Sequence, residues 1–292
     1  MPASLHPAGY APGFVARILD MARDGGGRTG GRRVFAIAGL QGTGKSTLSQ
    51  QLEALAREQA LRLVPLSIDD FYLGHADRGK LGREVHPLCA TRGAPGTHDV
   101  ALACAVLDAL HEGRPTALPR FDKIADDRLP ESQWPVVDRA DLIVLEGWFL
   151  KAPPQDGNQL DEPLNALERE EDPDGTWRRW CNDALARDYP ALWSRLPRLL
   201  FLQGPGFDVV PQWRWQQEQS LQAQHPDRKA MTHAQVMRFV QFFERVSRHA
   251  METLPGIADA TIRLDAGRRV APGSTLGGVP FDVPSSNQEH TP

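Results

Sequence analysis

The chain has 292 residues, 41% of them hydrophobic and 24% charged, enough for one large α/β domain or two small ones with a sizeable core. Its formal charge of −4 gives no general attraction to nucleic acid or an anionic membrane, so any anion site has to be a local cluster of Lys and Arg. No apolar run approaches the ~20 residues of a membrane span, Met1 to Tyr10 shows no secretory-signal pattern, and Cys89, Cys104 and Cys181 fit neither a disulfide framework nor a metal site. A cytoplasmic protein with no membrane or nucleic-acid partner is expected.

In chain order, Phe14 to Met21 reads as a short helix, followed by a glycine-rich joint from Gly25 to Gly31 that separates residues 1–30 from the main domain. Arg33 to Ala38 is a short apolar run ending at Gly39, the pattern of a buried parallel strand. From Gly44 onward Leu48, Leu52 and Leu55 recur at helical spacing, and a second strand spans Leu61 to Ile68. That is a strand–loop–helix–strand unit, the building block of a parallel sheet. Asp99 precedes an amphipathic helix (Leu102, Val106, Leu110) that Gly113 closes. Asp141 to Leu145 is a third strand, residues 153–175 are a loop-rich insert, and Trp177, Trp180, Cys181, Ala184 and Leu185 repeat as a helix. Arg198 to Leu202 is a fourth strand, Trp213 to Gln224 a helix within a lid region (205–232), and Thr232 with Gln235 a capping box for a long helix. Thr261 to Leu264 closes the domain, taken as 31–266, and residues 267–292, rich in Gly, Pro and Ser, read as a poorly ordered tail. The fold class is α/β, three-layer, around a mostly parallel sheet.

Gly39-Leu-Gln41-Gly42-Thr43-Gly44-Lys45-Ser46 fits G-x-x-x-x-G-K-S/T. Its glycines let successive backbone N–H groups turn towards phosphate oxygens, and the helix starting there adds its positive dipole end. Lys45 can reach the β- and γ-phosphates, the Ser46 hydroxyl is placed for Mg²⁺, and Thr47 follows in the first turn. A nucleoside triphosphate, with Mg²⁺, is the expected ligand.

Asp69 and Asp70 leave the second strand at the sheet edge where ligands bind in open α/β folds. There a carboxylate can orient and deprotonate an attacking hydroxyl, although two adjacent acids can also cap a helix. Glu146, at the end of the third strand, is the Walker-B-like acid that would hold Mg²⁺ directly or through water; a strand-end turn is the plainer alternative. Nine His residues include no paired metal-ligand spacing, so no transition-metal site is expected.

With these pieces placed, the sequence resembles the D-glycerate 3-kinase family. The phosphate loop, Ser67-Ile-Asp-Asp-Phe-Tyr72, Arg92-Gly-Ala-Pro-Gly-Thr-His-Asp99, Pro119-Arg-Phe-Asp-Lys123, Leu145-Glu-Gly-Trp148, Asn165-Ala-Leu-Glu168 and Trp213-Arg-Trp-Gln-Gln-Glu218 follow that family's order. The wider group contains uridine kinase, phosphoribulokinase and pantothenate kinase. The resemblance implies a P-loop kinase fold with a helical lid and ATP-dependent phosphorylation of D-glycerate to 3-phosphoglycerate. It further implies Asp69 as the base with Asp70 beside it, Arg92, His98, Lys123 and Arg128 on the acceptor side, and Arg214 as a lid residue over the transferring phosphate. The segment Ile124 to Arg128 is shorter and less glycine-rich than in the plant-type enzymes. A small anionic acceptor suits the Arg and Lys residues of these blocks. A different small alcohol or nucleoside, or a non-catalytic ATP-binding protein, are the rival readings.

Overall fold

The computed structural model of the protein describes residues 9–24, 33–224, 230–276 and 279–280. The glycine-rich joint from Gly25 to Gly31 and the last twelve residues lie outside the described residues. In chain order the elements begin with α1 (Pro12–Asp24), β1 (Arg33–Gly39), α2 (Lys45–Glu58), β2 (Leu63–Ser67), α3 (His75–Glu84) and α4 (Val100–Glu112). Four two-residue strands follow, β3 (Thr116–Ala117), β4 (Phe121–Asp122), β5 (Asp127–Arg128) and β6 (Val136–Val137). Then come β7 (Leu142–Gly147), α5 (Ala166–Glu171), α6 (Thr176–Arg187), α7 (Pro190–Trp193) and β8 (Arg198–Gln203). The chain ends with α8 (Val210–Gln224), α9 (His233–Thr253), β9 (Ala260–Arg263), β10 (Thr275–Leu276) and β11 (Val279–Pro280).

The sheet order is β11-β10-β9-β8-β1-β7-β2. The five strands from β9 to β2 run parallel, and β10 and β11 extend the β9 side antiparallel. The strands are near-continuous apolar runs because both faces are covered. In β1, Val34, Ala36 and Ala38 join a core with α4, α6, α7 and α9, while Phe35 and Ile37 face the core made by α1 and α2. This gives three layers with β1 at the centre. Glu146 stands opposite both Ile37 and Ser67, so β1, β7 and β2 finish level. The chain leaves β1 towards β2 on one side and returns to β8 on the other. The order therefore reverses at β1, and a crevice opens beyond its carboxyl end.

Several helix ends agree with the sequence signals. Asp99 accepts from the Leu102 N–H (3.0 Å), and Gly113 closes α4 at φ 77°. Thr232 and Gln235 form both bonds of the capping box that starts α9. Other features depart from the sequence pattern. α3 and the two ribbons β3–β6 and β4–β5 carry no hydrophobic periodicity and are held by tertiary contacts. Beyond Ala266, described residues of the expected loose tail pair with the sheet as β10 and β11. Main-chain pairing of β10 with the β9 edge, and of β11 with β10, does this with little apolar signal in the sequence.

Candidate active site

The phosphate loop joins β1 to α2. Gly42 and Gly44 both sit at φ 87°, a left-handed conformation that side chains resist, and a Cβ on Gly42 would stand 2.7 Å from the Trp213 Cβ on α8. Thr43 is fully buried, and its Oγ1 donates to the Leu40 carbonyl at 2.8 Å. Two side chains from outside the expected domain core hold the loop's carbonyls. Tyr10 Oη donates to Thr43 O at 2.6 Å, and Arg268 Nε donates to Gly42 O at 2.7 Å. Arg268 also lies over the Trp213 ring, 4.9 Å from its centroid, and its Nη2 reaches Gln216 on α8. Neither Tyr10 nor Arg268 belongs to a recognisable motif, so the sequence offered no signal for them.

Lys45 opens α2 and is buried, its Nζ donating to Gly39 O (2.8 Å) and Leu40 O (3.0 Å). Burial pushes its pKa down, and the nearby carboxylates of Glu146 and Asp69 work against that. Ser46 Oγ donates to Glu146 Oε1 at 2.8 Å, so the two residues read as metal candidates are brought together. Thr47 lies exposed in the first turn of α2. Both side-chain amide atoms of Gln41 are buried with no protein partner.

Asp69 sits just past β2, where Ser67 Oγ accepts from its N–H. Lys123 Nζ donates to one carboxylate oxygen at 2.6 Å, and Tyr72 Oη donates to the other at 2.8 Å. Burial alone would raise the Asp69 pKa. Lys123 and Tyr72 outweigh it and hold the carboxyl well below the usual range. Lys45, Lys123 and Arg214 converge here. The charges of Lys123 and Arg214 both act to lower the Lys45 pKa, while Asp69 acts to raise that of all three cations. Arg214 also bonds Gln217 and lies 5.9 Å from the Phe239 ring centroid.

The remaining expected residues build the wall that carries Lys123. Asp70 turns away from Asp69's partners to accept from Phe121 N (3.3 Å) and to pair with Arg120 (3.4 Å), and burial raises its pKa. Arg128 bonds Tyr72 O and Asp99, fastening the β4–β5 ribbon to the segment after β2. Arg92 pairs with Asp126 and donates to Lys123 O (3.2 Å). Arg78, missed by sequence because α3 has no apolar face to announce it, is wholly buried. It binds the same Asp126 carboxylate at 2.7 Å as well as Leu73 O. His98 is 5% exposed and pairs with Tyr72 in an isolated antiparallel bridge. Its Nδ1 lies 2.7 Å from Tyr189 Oη. Thus Lys45, Ser46, Asp69, Lys123, Glu146, Arg214 and His98 gather at one sheet edge, while Asp70, Arg92 and Arg128 are the struts behind them.

No protein-family model matches the chain. Two yeast proteins do. Uncharacterized kinase mug58 of Schizosaccharomyces pombe is 32% identical over 220 residues, covering 72% of this chain and 78% of that one. Probable ATP-dependent kinase TDA10 of Saccharomyces cerevisiae is 31% identical over 271 residues, covering 80% and 85%. The solved D-glycerate 3-kinase from Cryptococcus neoformans superposes with a TM-score of 0.72 at 25% identity, over 90% of this chain and 97% of that one. The chain belongs to the same kinase family as mug58 and TDA10. It is a kinase. In this kinase most of the motif blocks between Gly39 and Glu218 converge on the crevice beyond β1, whereas Asn165 and Glu168 bond Gln241, Glu244 and Arg245 of α9. Among the described residues no helix is long and apolar enough to cross a membrane.

Proposed function

We propose that this kinase transfers the γ-phosphate of ATP to the primary hydroxyl of D-glycerate, giving 3-phosphoglycerate, in the cytoplasm. The observation that carries the reading is the convergence of Lys45, Lys123 and Arg214 on a carboxylate, Asp69, that stays charged. Mutually repelling cations in one crevice favour an anionic ligand, and a triphosphate beside a small carboxylate supplies it on both sides. The name of the Cryptococcus neoformans neighbour supports the same acceptor.

Ser46 and Glu146 present two hard oxygens side by side at 2.8 Å, a fit for Mg²⁺, which takes one or two protein ligands and fills its shell with phosphates and water. When bound, Mg²⁺ neutralises charge on the β- and γ-phosphate oxygens. The chain's own residues do the rest. Backbone N–H groups of Gly42 to Ser46 hold the phosphates, and Asp69 accepts a hydrogen bond from the acceptor hydroxyl, aiming its oxygen in line with the γ-phosphorus. The new O–P bond forms as the bond to the β–γ bridging oxygen breaks, ADP leaves with that electron pair, and the hydroxyl proton passes to Asp69. A carboxylate held this far below the usual range is a weak base, so its chief contribution is orientation; the loose transition state asks little proton transfer early on. Lys45 and Arg214 stabilise the charge spreading over the transferred group.

The test is a panel of D-glycerate, L-glycerate, glycerol, pantothenate and uridine with ATP and Mg²⁺, with product position read by phosphorus NMR. D-glycerate turned over fastest, at the 3-position, is the expected result. Preference for glycerol, pantothenate or uridine would overturn the acceptor assignment, and ATP binding without transfer to any of them would overturn catalysis.

A further inference from the structure

His98 is a buried polar group that the phosphoryl transfer described above does not use. Its ring lies between Tyr72 (centroids 4.6 Å apart) and Phe149 (5.5 Å), close enough to Asp69 for the two to interact electrostatically. Its Nε2 is buried and has no protein partner, an expensive arrangement unless something else bonds to it.

The surroundings fix which nitrogen carries the hydrogen. Tyr189 is fully buried, and its hydroxyl oxygen accepts from the Gly96 N–H at 3.0 Å. If His98 Nδ1 also donated to that oxygen, the Tyr189 hydrogen would be left with no acceptor in a site without solvent access. The network closes when Tyr189 donates to Nδ1 at 2.7 Å. Nδ1 is then an acceptor, and a neutral imidazole carries its hydrogen on Nε2. Neutrality agrees with burial, which pushes the His98 pKa down to about 3.

Two kinds of donor therefore stand near Asp69. Lys123 and Arg214 are cations suited to carboxylate and phosphate oxygens. His98 Nε2–H is uncharged, rigid and without competing water, and it suits a neutral hydroxyl. We infer that His98 Nε2–H is the specificity donor of the acceptor pocket, reading the hydroxyl on the carbon next to the reacting one (C2 of a 2,3-dihydroxy acid), with Tyr189 as the positioning residue that locks its tautomer. This rests on the hydroxy-acid reading of the site. A pocket with such a donor rejects an acceptor lacking that oxygen, because the buried N–H is then left unpaired.

The experiment compares D-glycerate with 3-hydroxypropionate, which keeps the carboxylate and the primary hydroxyl but lacks the C2 oxygen. Wild-type enzyme is expected to prefer D-glycerate by about 100-fold in kcat/KM. His98→Phe keeps an aromatic ring in the cluster. It should raise the KM for D-glycerate about 10- to 100-fold, cost 3-hydroxypropionate far less, and so erase most of the preference. Tyr189→Phe keeps the His98 ring but frees its tautomer, and should lose part of the same preference. Nitrogen-15 NMR of wild-type protein should show the Nε2-protonated tautomer, with that signal shifting on addition of D-glycerate and not of 3-hydroxypropionate. An Nδ1-protonated ring, or a His98→Phe enzyme that loses both acids equally, would overturn the inference. Failure of the wild type to phosphorylate either acid would instead overturn the hydroxy-acid reading, while the NMR tautomer still decides whether Tyr189 locks the ring.

Discussion

The phosphate half of the crevice and its acceptor half are built in opposite ways. The phosphate half is largely local: one strand, one loop and one helix from Arg33 to Glu58 place Gly42, Gly44, Lys45 and Ser46, with Glu146, Tyr10 and Arg268 reaching in from afar. The acceptor half is assembled from irregular segments at residues 67–73, 92–99 and 119–128. They are tied together by Arg78, Arg92 and Arg128 through Asp126, Asp99 and main-chain carbonyls. A local motif keeps its geometry through regular backbone hydrogen bonds. A long-range one depends on each ion pair that closes it. The two halves should therefore fail differently when struck.

Lys45→Ala attacks the local half at its centre, and kcat should fall about 10³-fold or more, with an unchanged circular dichroism spectrum. Asp69→Asn should lower kcat by about 10²- to 10³-fold while ATP affinity, measured by calorimetry, stays within about 2-fold. A parallel loss of ATP binding would show that the two halves are not separable. Lys123→Met should cost about 10-fold or more in acceptor kcat/KM and also change its pH dependence. In the wild type the Asp69 carboxyl titrates below the ordinary ~3.9, so kcat/KM for the acceptor should be free of an acid limb above about pH 5. Without the cation, burial takes over, the carboxyl pKa rises, and the limb should move up towards neutral pH.

Smaller effects sharpen the contrast. Arg78→Met removes a buried guanidinium far from any phosphate. It should cost about 2–4 kcal/mol of stability, less than a fully buried pair because Asp126 remains a third exposed. The KM for the acceptor should rise while that for ATP does not, and thermal denaturation with two-substrate kinetics reads both. Tyr10→Phe and Arg268→Ala should show the converse, each raising the KM for ATP about 3- to 10-fold through one lost hydrogen bond and sparing the acceptor.

The same contrast explains what could be read from the sequence. β1, α2, β7, β8 and α9 announce themselves because burial on one or two faces imposes a period on their residues. The glycine–lysine–serine loop is contiguous, so its function is visible in eight letters. Asp69 could be nominated from its place at the end of β2, but Lys123 and His98 only through resemblance to a family, since nothing in their local pattern says that they meet it. Arg78 and Tyr189 escaped because a buried polar side chain leaves no periodic trace, and its partners lie dozens of residues away. Asp70, Arg92 and Arg128, nominated as site residues, make ion pairs and main-chain hydrogen bonds within the wall that carries Lys123.

Tyr10 and Arg268 grip neighbouring carbonyls of the phosphate loop from opposite ends of the chain. A domain cut by motif, from residue 31 to residue 266, would retain every letter of the nucleotide signature and discard both grips. Such a cut would lose two hydrogen bonds that no motif search weighs. A shortened version chosen for convenience would also strip α1 from the core over Phe35 and Ile37, should handle ATP poorly, and would be mistaken for a naturally weak kinase.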